Sequence, residues 1–252
     1  MAARDPLDPA AARHQLTEAA RARREVAEAI LDHRFGNPEL VEEALTHRSA
    51  APYRGRKRKP GEPGPKTNER LEFIGDRVLG LLVAEWLIER FPDEQEGELG
   101  RRHAYLVSRP VLARVAESAG LSQALAVGAN EMRAGVGRLA TVLADAMEAL
   151  LGALYQDAGL HAARRFVRGA WQADLESMAE PPKDPKTTLQ EWCMARGLPL
   201  PVYAVAERTG PSHAPRFVMR VSGAGKEGRG TAGSKRVAER DAAADLLAQL
   251  QA

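Results

Sequence analysis

The chain has a single cysteine, Cys193, in 252 residues, so it cannot close an intramolecular disulfide, a usage that fits a reducing compartment. On an expected helix, that thiol reads as a packing residue rather than a nucleophile. A signal peptide is also missing: "MAARDPLDPA" at the start is polar and broken by proline where a leader needs an apolar run. No stretch has membrane length, because the most apolar segments are interrupted by Glu85, or by Asp145 and Glu148. The expectation is a soluble, cytoplasmic protein without a membrane partner. Internal repeats are lacking too, and there is no low-complexity tract beyond one basic insert.

The net charge of +2 is small only because opposite charges are segregated. Residues 183–252 hold 11 Lys/Arg against 7 Asp/Glu, and "YRGRKRKPGEPGPK", residues 53–66, holds 6 against 1. The rest of the chain is therefore acidic. A module that seeks polyanions is joined to one suited to binding cations.

With 44% hydrophobic residues, the chain can bury one sizeable core and a smaller second one. Residues 1 to about 15 are rich in Ala, Arg and Pro and are expected to be mobile; helical spacing then runs from Leu16 to Phe35. "NPELVEEALTH" opens with Asn37 as a cap and Pro38 in the first turn. The basic insert from Pro52 to Lys66 reads as a flexible loop. Helices are expected over 68–90, about 94–119 and 136–158, and near 160–178, with nothing alternating as a strand does. "AEPPKDP" marks a linker, because paired prolines stop helices on both sides. Beyond it "KTTLQEWCMARG" is helical, "PVYAVAER", "PRFVMRVS" and "EGRGTAG" resemble short strands, and "SKRVAERDAAADLLAQL" is a terminal helix. The expected architecture is an all-α domain, 16–178, a linker, 179–183, and a small α+β domain of order α-β-β-β-α, 184–252.

In "NERLEFIGDRVLG", Glu69, Glu72 and Asp76 interrupt an apolar helix at spacings of three and four, where like charges share a face and repel. "VLADAMEALLGALY" repeats the device with Asp145 and Glu148. Packed together, two such helices would crowd Glu72, Asp76, Asp145 and Glu148, at a mutual cost of roughly 1–4 kcal/mol per pair at ~4 Å. Protons or cations relieve such crowding. Hard oxygen ligands favour Mg²⁺ or Mn²⁺ over zinc, which would recruit histidine or cysteine. The plain alternative is that these are partly exposed helix residues, as most Asp and Glu are.

"NERLEFIGDRVL" resembles the signature of bacterial ribonuclease III, together with "ALTHRSA" upstream, "FPDEQEGEL" and "LADAMEALLGALY" downstream, and a C-terminal segment similar to a double-stranded RNA-binding domain. The resemblance implies a homodimeric, Mg²⁺-dependent endonuclease, with Mn²⁺ as an alternative. Such an enzyme cleaves both strands of double-stranded RNA to 5′-phosphate and 3′-hydroxyl ends with short 3′ overhangs. It would act in processing ribosomal RNA precursors and other structured RNAs, messenger and transfer RNA among them. By the same resemblance Glu72, Asp76, Asp145 and Glu148 are metal ligands, Glu69 and Glu96 are accessory acids, and Phe73 is a dimer contact, a plain core phenylalanine being the other reading. The register of Glu96 is open to confusion with Glu94 and Glu98. His47, within "ALTHRSA", reads as structural rather than as a general base.

The family's usual "GDS" or "GDA" is here Gly75-Asp76-Arg77, and Arg77 could meet RNA, pair with Glu69 or Glu72, or face solvent. "LGRRHAYLV" also departs from the family's usual helix. In the C-terminal domain the resemblance gives RNA contacts to Thr187, Gln190, His213, Ser234, Lys235 and Arg236, reading the shape of A-form RNA across its minor grooves. Two other readings compete: a non-catalytic double-stranded RNA-binding protein with a degenerate nuclease domain, and an unrelated helical metal hydrolase fused to an RNA-binding module. The full set of acids speaks against the former, and the lack of convincing histidine ligands against the latter.

Overall fold

A computed structural model describes residues 9–51, 66–182, 184–211 and 215–251. The basic insert, apart from Lys66, and His213 lie outside the described residues. The chain divides into two compact units, Met1–Pro181 and Pro182–Ala252.

The first unit is helical: α1 (Pro9–Leu31), α2 (Pro38–Leu45), α3 (Glu69–Arg90), α4 (Glu96–Leu106), α5 (Arg109–Ser118), α6 (Ala129–Arg133), α7 (Ala140–Ala170) and α8 (Gln172–Ser177). Its core is organised by α3 and α7, whose Leu79, Leu82, Val83 and Leu87 pack with Met147, Leu150, Leu151 and Leu154. Glycine makes their crossing close. A Cβ on Gly75 would stand 1.8 Å from the Glu148 carbonyl oxygen, and one on Gly152 would stand 2.2 Å from that of Leu71. The backbones therefore touch where the acidic residues leave both helices. Asn37 caps α2 by accepting from the Glu39 amide, as its position before Pro38 predicts.

Three expectations need correction. Residues 9–15, expected to be mobile, belong to α1. The helix expected over 94–119 is two, because Pro110 has no N–H to offer the Leu106 carbonyl and instead sits in the first turn of α5. The stretch 120–139 is also structured, with 3-10 turns at Leu121–Gln123 and Val136–Arg138 flanking α6. By contrast the break between 158 and 160 is real: Gly159 interrupts α7 with φ 74° and ψ −177°.

The departure "LGRRHAYLV" also has a structural explanation. Arg102 is 1% exposed, forks onto both Glu94 carboxylate oxygens, donates to the Met178 carbonyl and lies over the Phe91 ring at 3.8 Å. A buried guanidinium so fully partnered fixes the end of α8 against α4. Among the described residues no helix is long and apolar enough to cross a membrane.

The second unit comprises α9 (Pro185–Met194), β1 (Val202–Thr209), β2 (Arg216–Gly223), β3 (Lys226–Ala232) and α10 (Lys235–Gln251). The strands form an antiparallel sheet in the order β1-β2-β3, with Met219 facing Val205 on one side and Gly230 on the other. Alternation along β2 turns Met219 and Val221 inward onto Leu189, Cys193, Ala242 and Leu246. Cys193 is fully buried there, as a packing residue. The fold class is thus the expected one: an all-α unit followed by a small α-β-β-β-α unit.

Candidate active site and RNA-facing residues

Carboxylates from both central helices converge at their crossing. One oxygen from each of Glu72, Asp145 and Glu148 lies within 4.8 Å of the others. They sit in a cleft of about 760 Å³ whose lining also includes Glu69, Asp76 and His47. Partial burial raises the pKa of all three clustered acids. In Glu72 repulsion from Asp145 and Glu69 adds to it, whereas in Asp145 Arg109, His47 and Arg48 oppose it. Glu148 is displaced furthest, to about 7, by burial first and then by Asp76, Glu72 and Asp145. Glu148 is therefore partly protonated near neutrality unless positive charge arrives.

Asp76 does not join the three. Its exposed carboxylate takes a hydrogen bond of 2.5 Å from Arg77, whose guanidinium lies 4.1 Å over the Phe73 ring and also donates to the Phe73 carbonyl. Arg77 thus pairs with its neighbour Asp76 rather than with Glu69 or Glu72, and its side chain stays exposed to solvent. Asp76 nevertheless lines the same cleft and repels Glu148. Glu69 also lines the cleft and accepts from the Thr67 hydroxyl at 3.3 Å.

Glu96 opens α4 with an exposed side chain and is not part of this cleft. Its neighbours are occupied: Glu94 by Arg102, and Glu98 by the Gln95 amide in a capping box. Phe73 is 64% exposed, which removes the core reading. Leu81 and Ile88 extend its exposed apolar side of α3.

His47 accepts at Nδ1 from the Ser49 amide, capping the short turn Arg48–Ala50, so its structural reading holds. Burial, with Arg48 beside it, pushes its pKa down. This turn is carried to the cleft by a short parallel bridge between Thr46 and Ala126 and by the Asn68 amide donating to the Thr46 carbonyl at 3.0 Å. Two charged cleft residues escaped sequence reasoning, Arg48 and Arg109. The "THR" within "ALTHRSA" offered a signal for Arg48, while Arg109 had none beyond preceding a helix-starting proline.

In the second unit Thr187 and Gln190 are exposed one turn apart on α9, and Ser234, Lys235 and Arg236 are exposed around the start of α10. The Ser234 hydroxyl accepts from the Val237 amide. Lys186 turns inward to Glu239 and lies over the Tyr203 ring, while Lys235 reaches Glu239 more loosely at 3.8 Å.

Comparison with known proteins places both units. Residues 37–175 match the family described as Ribonuclease-III-like, and residues 185–250 match the double-stranded RNA binding motif. A protein named Ribonuclease 3 from Caulobacter vibrioides is 47% identical over 219 residues, covering 86% of this chain and 91% of that protein. Its namesake from Dinoroseobacter shibae is 43% identical over 224 residues, covering 88% and 93%. Among solved structures, the nuclease domain of ribonuclease III from Campylobacter jejuni is 32% identical and superposes with a TM-score of 0.51, covering 60% of this chain and 94% of that one. A second structure of that domain, with a TM-score of 0.50 and 32% identity over 59% of this chain and 98% of that one, is described as flexible in a region involved in dimer formation.

Proposed function

Because this chain belongs to the ribonuclease III family and is a ribonuclease that acts on double-stranded RNA, we propose that Glu72, Asp145 and Glu148, joined by Asp76, hold Mg²⁺ for the cleavage of both strands. The observation that carries this reading is the convergence of three carboxylates from two helices within 4.8 Å. The donors fit such an ion. They are all hard oxygens, and their mutual repulsion, which lifts Glu148 to about 7, is relieved by divalent charge. Mn²⁺ satisfies the same donors.

A divalent cation, when bound, supplies Lewis acidity to the phosphate and lowers the pKa of the water that attacks it. The residues of the chain do the rest. Glu148, whose half-buried carboxyl is partly protonated near neutrality, would release that proton to water as a cation binds, and Asp76 would turn from Arg77 to complete the set. Glu69 and Glu96 act as accessory acids facing the RNA or a second metal region. Products carry 5′-phosphate and 3′-hydroxyl ends with short 3′ overhangs. The exposed apolar side of α3, with Phe73, Leu81 and Ile88, is the contact of a homodimer, a reading supported by the dimer-forming region described for the Campylobacter jejuni domain.

In the second unit Thr187, Gln190, His213, Ser234, Lys235 and Arg236 contact the duplex, and the work of the enzyme is cytoplasmic processing of ribosomal RNA precursors and other structured RNAs. Incubation of the purified protein with long double-stranded RNA tests the chemistry. Mg²⁺ should give short duplex fragments with those ends, and a chelator should stop the reaction. Equal cleavage with and without chelator, or none with either Mg²⁺ or Mn²⁺, would remove the reading.

A further inference from the structure

The cleft poses an electrostatic problem that its acids cannot solve. Glu69, Glu72, Asp76, Asp145 and Glu148 all line it, yet the substrate is a polyanion, and partial neutralisation by a cation still leaves a negative surface for the phosphate to approach. Three guanidiniums line the same cleft: Arg48, Arg77 and Arg109. Arg77 is committed to Asp76 and to the Phe73 carbonyl and ring. Arg48 and Arg109 are both exposed, and among the described residues neither side chain forms a hydrogen bond or an ion pair. Elsewhere on the same unit Arg114 pairs with Asp174, Arg164 with Glu85 and Arg168 with Glu89. Arg70, Arg101 and Arg138, by contrast, form no hydrogen bond or ion pair among the described residues, so what sets Arg48 and Arg109 apart is their place in the cleft.

The placement of Arg109 is set by its backbone. It is the first residue of α5, directly before Pro110, whose ring fixes the helix start there. From that position it lines the same cleft as Glu72, Asp145 and Glu148. It does so without coming within ion-pair distance of any of them. A guanidinium that shares the cleft with these carboxylates but bonds to none of them keeps its donors for an anionic ligand.

We propose that Arg109, assisted by Arg48, binds a phosphodiester of double-stranded RNA in this cleft and so positions the strand over the Glu72–Asp145–Glu148 cluster. The inference rests on the ribonuclease reading of that cluster. A planar guanidinium can present paired N–H donors to phosphate oxygens, and contacts to the backbone fix register without selecting sequence. The rival role for the two arginines is to offset carboxylate charge with no contact to RNA.

Steady-state cleavage by full-length Arg109→Gln, Arg109→Lys and Arg48→Gln separates these roles, with Arg165→Gln, exposed on α7, as a control for the loss of one positive charge. Arg109→Gln should raise KM about tenfold and lower the salt dependence of log KM by about one unit, with a smaller change in kcat. Arg109→Lys should recover part of the loss, and Arg48→Gln should follow the same pattern more weakly. The midpoint of the thermal stabilisation by Mg²⁺ alone, measured without RNA, should match the parent in every variant. An unchanged KM in Arg109→Gln would overturn the proposal, and an accompanying shift of the Mg²⁺ midpoint would assign the arginine to charge balance. A KM loss equal to that of Arg165→Gln would overturn it as well. If the parent itself failed to cut double-stranded RNA, the fault would lie with the ribonuclease reading, whereas a cutting parent with an indifferent Arg109→Gln faults only the arginine.

Discussion

In the helical unit the decisive charges are crowded and half-buried: three carboxylates converge within 4.8 Å where α3 and α7 touch backbone to backbone. In the C-terminal unit they are spread and solvated, with Ser234, Lys235 and Arg236 exposed around the start of α10 and Thr187 and Gln190 exposed on α9. Crowding strains the isolated protein and suits a single compact cation. Spreading costs the fold little and suits a long, regularly charged ligand. Chemistry and affinity are thereby assigned to different units, and they should be separable by mutation.

The largest effect is expected where the crowding is built. Gly75→Ala forces a Cβ to 1.8 Å from the Glu148 carbonyl, so the helices must part, at a cost of about 3 kcal/mol in stability. Cleavage should disappear with the geometry, while the C-terminal unit keeps its RNA affinity; thermal unfolding and a binding assay on the same sample check both. Truncation after Glu180 is the converse experiment. Affinity for double-stranded RNA at physiological salt should fall about 100-fold, with Mg²⁺-dependent cleavage persisting at low salt. Equal affinity of the truncated and full chains at both salt levels would break the division of labour.

How far the contrast could be read from the sequence depends on the range of the forces involved. Local chemistry was legible: Asn37 before Pro38 placed the start of α2, the gap between the helices expected over 136–158 and near 160–178 falls at Gly159, where α7 is interrupted, and "PRFVMRVS" was readable as the strand β2. The pairing of Glu72 with Asp145 and Glu148 was legible because acids inside apolar helices demand a common explanation. What escaped depends on contacts distant in sequence or on a rotamer. Asp76 carries the same signal as Glu72 yet turns to its neighbour Arg77. The bridge of Thr46 to Ala126, which brings His47 and Arg48 to the cleft, joins two irregular segments without periodicity. Gly75 and Gly152 look like helix-weakening residues until their partner backbones are seen.

A smaller effect concerns pH. The pKa of Glu148 is raised in the folded protein from 4.5 to about 7, so the fold binds the proton more tightly than the unfolded chain does. In the absence of cation the contribution of this group to stability is therefore fully present below about 4.5, is lost as the pH rises, and is gone above about 7. Glu148→Gln should flatten that decline and, above it, stabilise the metal-free protein by about 1–2 kcal/mol after allowance for partial solvent screening. Chemical denaturation across this range, with chelator present, measures it. The smallest effect lies in the spread charges. Lys235→Gln and Arg236→Gln should each weaken binding about threefold and lower the salt slope by about one, without altering the rate constant for cleavage at saturating RNA.

The separation of chemistry from affinity is tested most directly by a single variant assayed two ways. Glu148→Gln keeps the shape of the side chain and removes one clustered charge; binding to double-stranded RNA and cleavage at saturating RNA and Mg²⁺ are measured in parallel. Binding should equal that of the parent while cleavage falls by about 100-fold or more. Cleavage near the parent rate would contradict the account, because the carboxylates at the crossing of α3 and α7 would then not be the centre at which the RNA is cut.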